Sequence, residues 1–171
     1  MIRLAERELN TKYGRFNEYL YHDGNRESIT LVVGDVRGGS DVLCRIHSAC
    51  ISGHVFNSVE CDCAAEVAAA QNTVQSVGRG VIIYLDHEGK GNGHLALMKS
   101  IPFKLEGFSQ AEAYEKAGYS ADARSYRPAA AILSDLGIVS IELLTENTAK
   151  ADDLRAVGIT ISNVKPSEID K

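Results

Sequence analysis

The chain has 171 residues, 44% hydrophobic and 24% charged, with a formal net charge of -5. That length suits one core over residues 1–171, and the composition is that of an ordinary soluble globular protein, which excludes disordered and fibrous classes. The acidic balance argues against nucleic-acid binding, which needs a basic face to replace phosphate counterions, but a few local cations can still hold one small anion.

Residues 1–20 are polar and interrupted by charge, so no signal peptide is expected, and no apolar run approaches the length of a membrane span. The first forty residues read as a small antiparallel sheet, with Asp23-Gly24-Asn25 as a turn between strands. Apolar runs predict further strands over 31–33, 42–46, 81–85, 138–144 and 159–161. Helices are expected over 64–77, 110–117, 128–136 and 150–157, the last three stopping at Gly118, Gly137 and Gly158. A mixed α/β fold follows, with antiparallel strands first and helix alternating with strand in the second half.

Between the strand over 42–46 and the first helix stand three cysteines, Cys50, Cys61 and Cys63. Three thiolates leave a tetrahedral zinc one ligand short, and a water held at the vacant position is acidified, so the spacing suggests catalysis. In an extended segment Cys61 and Cys63 would project to one side, and a turn at Ser52-Gly53 would fold Cys50 back onto them. The competing reading is four unrelated reduced cysteines or two chance disulfides; a reducing cytoplasm disfavours the disulfides. A fourth ligand from His47 or His54 would instead close the site and make it structural. Cys44, among apolar residues, reads as a buried thiol.

The strand over 81–85 runs into Asp86-His87-Glu88-Gly89-Lys90-Gly91-Asn92-Gly93-His94, a ligand loop by its glycines and its place after a strand, or else a solvated turn. Asp122 and Arg124 alone read as a surface ion pair. Thr145-Glu146-Asn147-Thr148 would cap the next helix, with N–H groups suited to a phosphate. Lys150 would oppose that helix's dipole unless a phosphate sits there.

Together these segments resemble GTP cyclohydrolase II, the zinc enzyme that opens the imidazole ring of GTP at the start of riboflavin synthesis. The residues that carry it are Arg45-Ile46-His47-Ser48, Cys50, Ser58, Cys61-Asp62-Cys63, Glu88-Gly89, Asp122 with Arg124, and Leu143-Leu144-Thr145. The resemblance implies zinc on Cys50, Cys61 and Cys63, activating the water that attacks C8 of the purine, followed by loss of formate. It implies that Arg124 attacks the α-phosphorus to expel pyrophosphate, with Asp122 as proton acceptor. Substrate binding falls to Arg45, His47, Ser48, Glu66, Glu88, Gly89, Lys90, Gln110, Thr145 and Lys150, with magnesium on the triphosphate. A cytoplasmic homodimer comes with the family.

The departures cluster on the nucleotide side. Ala49 stands where the family has glutamate, Glu66 where it has glutamine, and Gln110 where it has threonine. Asp86-His87-Glu88-Gly89-Lys90 replaces Arg-Gln-Glu-Gly-Arg, while Ala96 and Leu97 replace asparagine and lysine. Ile101 replaces the tyrosine associated with formate loss; isoleucine cannot shuttle a proton, so either a formamidopyrimidine product is released or, after a small helix shift, Tyr114 or Tyr84 takes that tyrosine's place. Two rivals remain. One is a paralogue hydrolysing a different nucleotide or base in a specialised pathway; the other is a non-catalytic zinc and nucleotide-binding module.

Overall fold

The structure, a computed structural model, describes residues 1–145 and 147–166; Glu146 and 167–171 lie outside the described residues. Seven strands form one mixed sheet: β1 (Ile2–Thr11), β2 (Gly14–His22), β3 (Glu27–Val33), β4 (Val42–Ser48), β5 (Gly80–Leu85), β6 (Ile141–Leu144) and β7 (Ile161–Lys165), in the order β1-β2-β3-β5-β4-β6-β7. β1, β2, β3 and β5 pair antiparallel, whereas β5, β4, β6 and β7 run parallel. The expected turn after β2 forms because Asp23 Oδ1 accepts from the N–H groups of Asn25 and Arg26 at 2.8 and 2.7 Å.

Six helices accompany the sheet among the described residues: α1 (Ile51–His54), α2 (Cys63–Val77), α3 (His94–Leu105), α4 (Gln110–Lys116), α5 (Arg127–Asp135) and α6 (Thr148–Ala156). Two-residue alternation along β4 explains how they are arranged. Val42, Cys44 and Ile46 join the core built with Ala129, Ile132 and Leu133 of α5 and Leu154 of α6. Leu43 belongs to the opposite face, with Ala70 and Val74 of α2. Arg45 and His47 continue that second face toward the strand's C-terminal end, where the start of α2 brings Glu66 against Arg45. Cys44 is a buried thiol as expected, pushed up to about 12 by burial.

Three expectations need correction. The strand expected over 138–144 begins only at Ile141, and the one over 159–161 is displaced to Ile161–Lys165. Both errors have one cause: the apolar residue after a left-handed glycine turns back onto the preceding helix. Ile138 N–H bonds to Leu133 O at 3.0 Å and Ile159 N–H to Leu154 O at 3.1 Å, so each residue completes a helix cap. The Cys61-Asp62-Cys63 segment is not extended. Asp62 is the N-cap of α2 and Cys63 its first residue, so the capping turn rather than a pleat brings the two sulfurs together. Helix α3 was not expected from periodicity, because glycines precede it and Pro102 lies inside it.

Candidate functional site

Cys50 is the N-cap of α1, its Sγ accepting the N–H of Gly53 at 3.4 Å. The short helical turn aims that sulfur at the start of α2. The sulfurs of Cys50, Cys61 and Cys63 all lie within 4.8 Å of one another, with Cys50 and Cys61 at 3.8 Å. A tetrahedral ion with sulfur bonds of about 2.3 Å has a sulfur–sulfur edge of about 3.8 Å, so the donor set fits one zinc. Gly53 leaves room for that grouping, since a Cβ there would stand 3.0 Å from Cys61 Sγ and 3.4 Å from Cys50 Sγ. All four cysteines are free thiols. Burial and the neighbouring sulfurs push Cys63 well above the usual thiol range.

Neither histidine is turned toward the sulfurs as a fourth ligand. His54 Nδ1 faces the Cys50 N–H and the Tyr84 hydroxyl, while Nε2 faces Cys63 O and His47. His47 is 2% exposed, and burial, with Arg45, His54 and Lys150 nearby, pushes it down to about 3. Among the described residues the protein offers three ligands, which leaves a fourth position open.

The sulfurs line a cavity of about 620 Å³ at the C-terminal ends of β4, β5 and β6, the usual position for a ligand on a sheet whose connections diverge. The end of β4 contributes Arg45, His47 and Ser48, and α2 contributes Glu66. The loop after β5 adds Glu88, Gly89 and Lys90; Gln110 comes from α4, Thr145 follows β6, Lys150 comes from α6 and Arg124 precedes α5. Among the expected site residues Asp122 alone does not line the cavity. It stands against Arg124, whose Nε donates to its two oxygens at 2.9 and 3.1 Å, with a further bond from Nη2. Burial works to raise Asp122, but the Arg124 hydrogen bonds outweigh it and hold the carboxylate below its ordinary value.

Arg45, Lys90, Lys104, Arg124 and Lys150 are the basic residues of the cavity, and Arg45, Arg124 and Lys150 form one group at the sheet end. Arg45 pairs with Glu66 at 2.7 Å. Arg124 and Lys150 each lie 5.8 Å from the Tyr126 ring. Lys150 does not project to solvent from the first turn of α6: it is 7% exposed and donates to Ile46 O. Asn147 caps that helix, its side chain accepting the Lys150 N–H at 3.4 Å. Among the described residues the buried atoms His87 Nδ1 and Tyr126 Oη have no hydrogen-bond partner.

Burial, with repulsion from Arg45 and Arg124, holds Lys150 down to about 7 from an ordinary 10.5. Between these values the unfolded chain binds a proton that the folded chain does not. Stability is therefore lost as pH falls from 10.5 toward 7, and the penalty is constant below that. Lys150→Met is expected to raise the melting temperature of the ligand-free protein by at least about 3 °C at pH 6, with a smaller gain at pH 9. It should also weaken binding of inorganic pyrophosphate by at least about tenfold. Thermal melts at both pH values and calorimetric titration check the two effects.

The opposite wall is apolar. Leu97, Met98 and Ile101 of α3 line it, and Tyr114 of α4 brings a hydroxyl 3.5 Å from the position a Cβ on Gly89 would take. Glu88 is held by the protein at both oxygens: Oε2 accepts the Ile51 N–H at 2.7 Å and Oε1 lies 3.3 Å from His94 Nδ1. Ala123 N–H donates to Lys90 O at 3.0 Å and Asn92 Nδ2 to Ser120 O at 2.9 Å, tying the loop of Glu88 to that of Arg124. A Cβ on Gly91 would lie 2.8 Å from Ala123 O, so only glycine permits that approach. The sequence placed Asn92 and His94 in the ligand loop without a role of their own and offered His54 only as a fourth zinc ligand. His94 and Asn92 sit within the glycine run that masks the start of α3, while nothing in the spacing of His54 indicates what its ring faces.

The family described as GTP cyclohydrolase II matches residues 2–166. The protein "GTP cyclohydrolase-2" of Streptomyces coelicolor is 40% identical over 167 residues, covering 96% of this chain and 75% of that protein. "Riboflavin biosynthesis protein RibBA" of Bacillus subtilis is 38% identical over 177 residues, covering 99% of this chain, and its namesake in Nocardia farcinica is 40% identical over 169. The chain spans only 44% and 41% of those two proteins. A crystal structure of RibBX, a two-domain 3,4-dihydroxy-2-butanone 4-phosphate synthase from A. baumannii, matches with a TM-score of 0.54 at 19% identity. The match covers 96% of this chain and 40% of that one, and the likeness concerns the fold alone.

Proposed function

The chain belongs to the GTP cyclohydrolase II family of hydrolases, and on that premise we propose that it opens the imidazole ring of a guanine nucleotide, GTP, with release of pyrophosphate. The observation that carries the reading is that three grouped thiols and five Lys and Arg side chains line one cavity. Cys50, Cys61 and Cys63 would hold zinc, which would supply the Lewis acidity and the water activation near neutral pH that hydrolysis at C8 requires.

The chain's own groups do the rest. Arg45, Lys150 and Thr145 bind the triphosphate together with magnesium, and an arriving phosphate charges Lys150 and draws Arg45 from Glu66. As a guanidinium nitrogen of Arg124 bonds to the α-phosphorus, its proton passes to Asp122 and the bond to pyrophosphate breaks. Glu66, Gln110, His47 and Ser48 orient the nucleotide. The loop of Glu88, Gly89 and Lys90 holds the triphosphate with Arg45, Lys150 and Thr145, Lys90 adding a further cation. Three free thiols suit a cytoplasmic setting, and a homodimer is carried over from the family.

Ile101 and its apolar neighbours supply no proton donor to the departing formamide nitrogen, so the product keeps its formyl group. One observation favours a second reading: the hydroxyl of Tyr114 lines the same cavity, whereas that of Tyr84 is used by His54. Product mass, formate and pyrophosphate are measured with GTP, ATP and guanosine as separate substrates. Pyrophosphate with a formamidopyrimidine from GTP alone is the expected result, and Ile101→Tyr should add formate. Formate from the native chain that disappears in Tyr114→Phe would favour the second reading. Turnover of another nucleotide in place of GTP would favour the paralogue.

A further inference from the structure

His54 joins both ends of the thiol loop to the sheet. The main-chain N–H of Cys50 donates to His54 Nδ1 at 3.2 Å, and the hydroxyl of Tyr84, on β5, reaches the same nitrogen at 3.0 Å. With Nδ1 accepting, the ring proton resides on Nε2. That nitrogen lies 3.3 Å from Cys63 O and 2.9 Å from Nε2 of His47, on β4. One imidazole therefore spans the first and third cysteines, and two strands hold the imidazole. Both nitrogens are occupied, so the ring is not itself a ligand.

We propose that His54 is the positioning residue of the metal centre, fixing the separation of Cys50 and Cys63 and their register against β4 and β5 before an ion arrives. The inference rests on the reading of Cys50, Cys61 and Cys63 as zinc ligands. Its physical basis is preorganisation. The connection from Cys50 to Cys63 is largely exposed, with Val55, Phe56 and Val59 all facing solvent. Without an internal tie, ordering that segment would cost conformational entropy at the moment of binding. The capping bond from Gly53 to Cys50 Sγ orders only one end.

The test measures zinc affinity of the full chain by competition with a chromophoric chelator, together with the absorption spectrum of the cobalt-substituted protein. His54→Phe keeps a flat ring and removes every polar contact of the imidazole. Zinc affinity is expected to fall by about 10- to 100-fold, with a shift in the cobalt bands that report sulfur geometry. His54→Gln, whose amide accepts at one end and donates at the other, should recover most of the affinity. Native affinity and an unchanged cobalt spectrum in His54→Phe would overturn the proposal. If circular dichroism shows that His54→Phe does not fold, Tyr84→Phe carries the test. A weaker zinc site in that variant supports the proposal and an unchanged one overturns it. A native chain that binds neither zinc nor cobalt would overturn the metal reading itself, which separates that failure from one confined to His54.

Discussion

Cys61→Ser is expected to lower zinc content from about one ion per chain to none and to reduce ring opening by at least about 1,000-fold. Serine offers a hydroxyl that holds its proton far above neutral pH, so two thiols remain for an ion that needs three. Cys61 is the informative choice because its side chain is exposed, unlike that of Cys44. Little packing is lost, and folding should be preserved apart from the stabilisation that the metal itself provides. Removing zinc from the native chain with a chelator should give the same loss, reversed on adding zinc back. Metal analysis, a thermal melt and a turnover assay on one preparation check the prediction, and full activity in metal-free Cys61→Ser would contradict it.

Arg124→Ala should be as damaging by a different route. The side chain lines the cavity, is pinned by Asp122 and lies over Tyr126, so it has one well-defined orientation. Its removal takes away the proposed nucleophile for the α-phosphorus and a cation from the phosphate wall, with pyrophosphate release falling by at least about 1,000-fold. Zinc content should stay at the native value, because the hydrogen bonds and ring contact of Arg124 among the described residues go to Asp122 and Tyr126. Arg124→Lys should rescue little: an ammonium cannot grip both Asp122 oxygens through a planar fork. Phosphate release kinetics beside metal analysis separates this loss from that of Cys61→Ser.

The parts of the fold legible from sequence were those governed by local alternation. Strand β4 carries its two-residue pattern plainly, and that pattern sends Cys44 to one core while Arg45 and His47 turn to the other face. Helix ends at Gly118, Gly137 and Gly158 were legible because all three glycines take left-handed backbone. Ile138 and Ile159 misled because an apolar residue in a helix cap looks the same in sequence as one that starts a strand. The site divided similarly. Three cysteines announced a candidate metal site by their number, but whether a histidine completed it could not be read from spacing. That answer depends on where Tyr84, Cys63 and His47 meet the ring of His54. The place of Glu88 in a loop beside the cavity was legible, whereas its bonds to Ile51 and His94 depend on long-range packing.

The central claim, that the chain opens the imidazole ring of GTP, is tested most directly by following GTP labelled with carbon-13 at C8. The zinc-loaded protein is incubated with labelled GTP and magnesium, and the label is observed by NMR. The account predicts that the purine C8 resonance disappears and that a formamide carbon replaces it in equal amount. A C8 resonance that persists unchanged while zinc is bound at one ion per chain would contradict it.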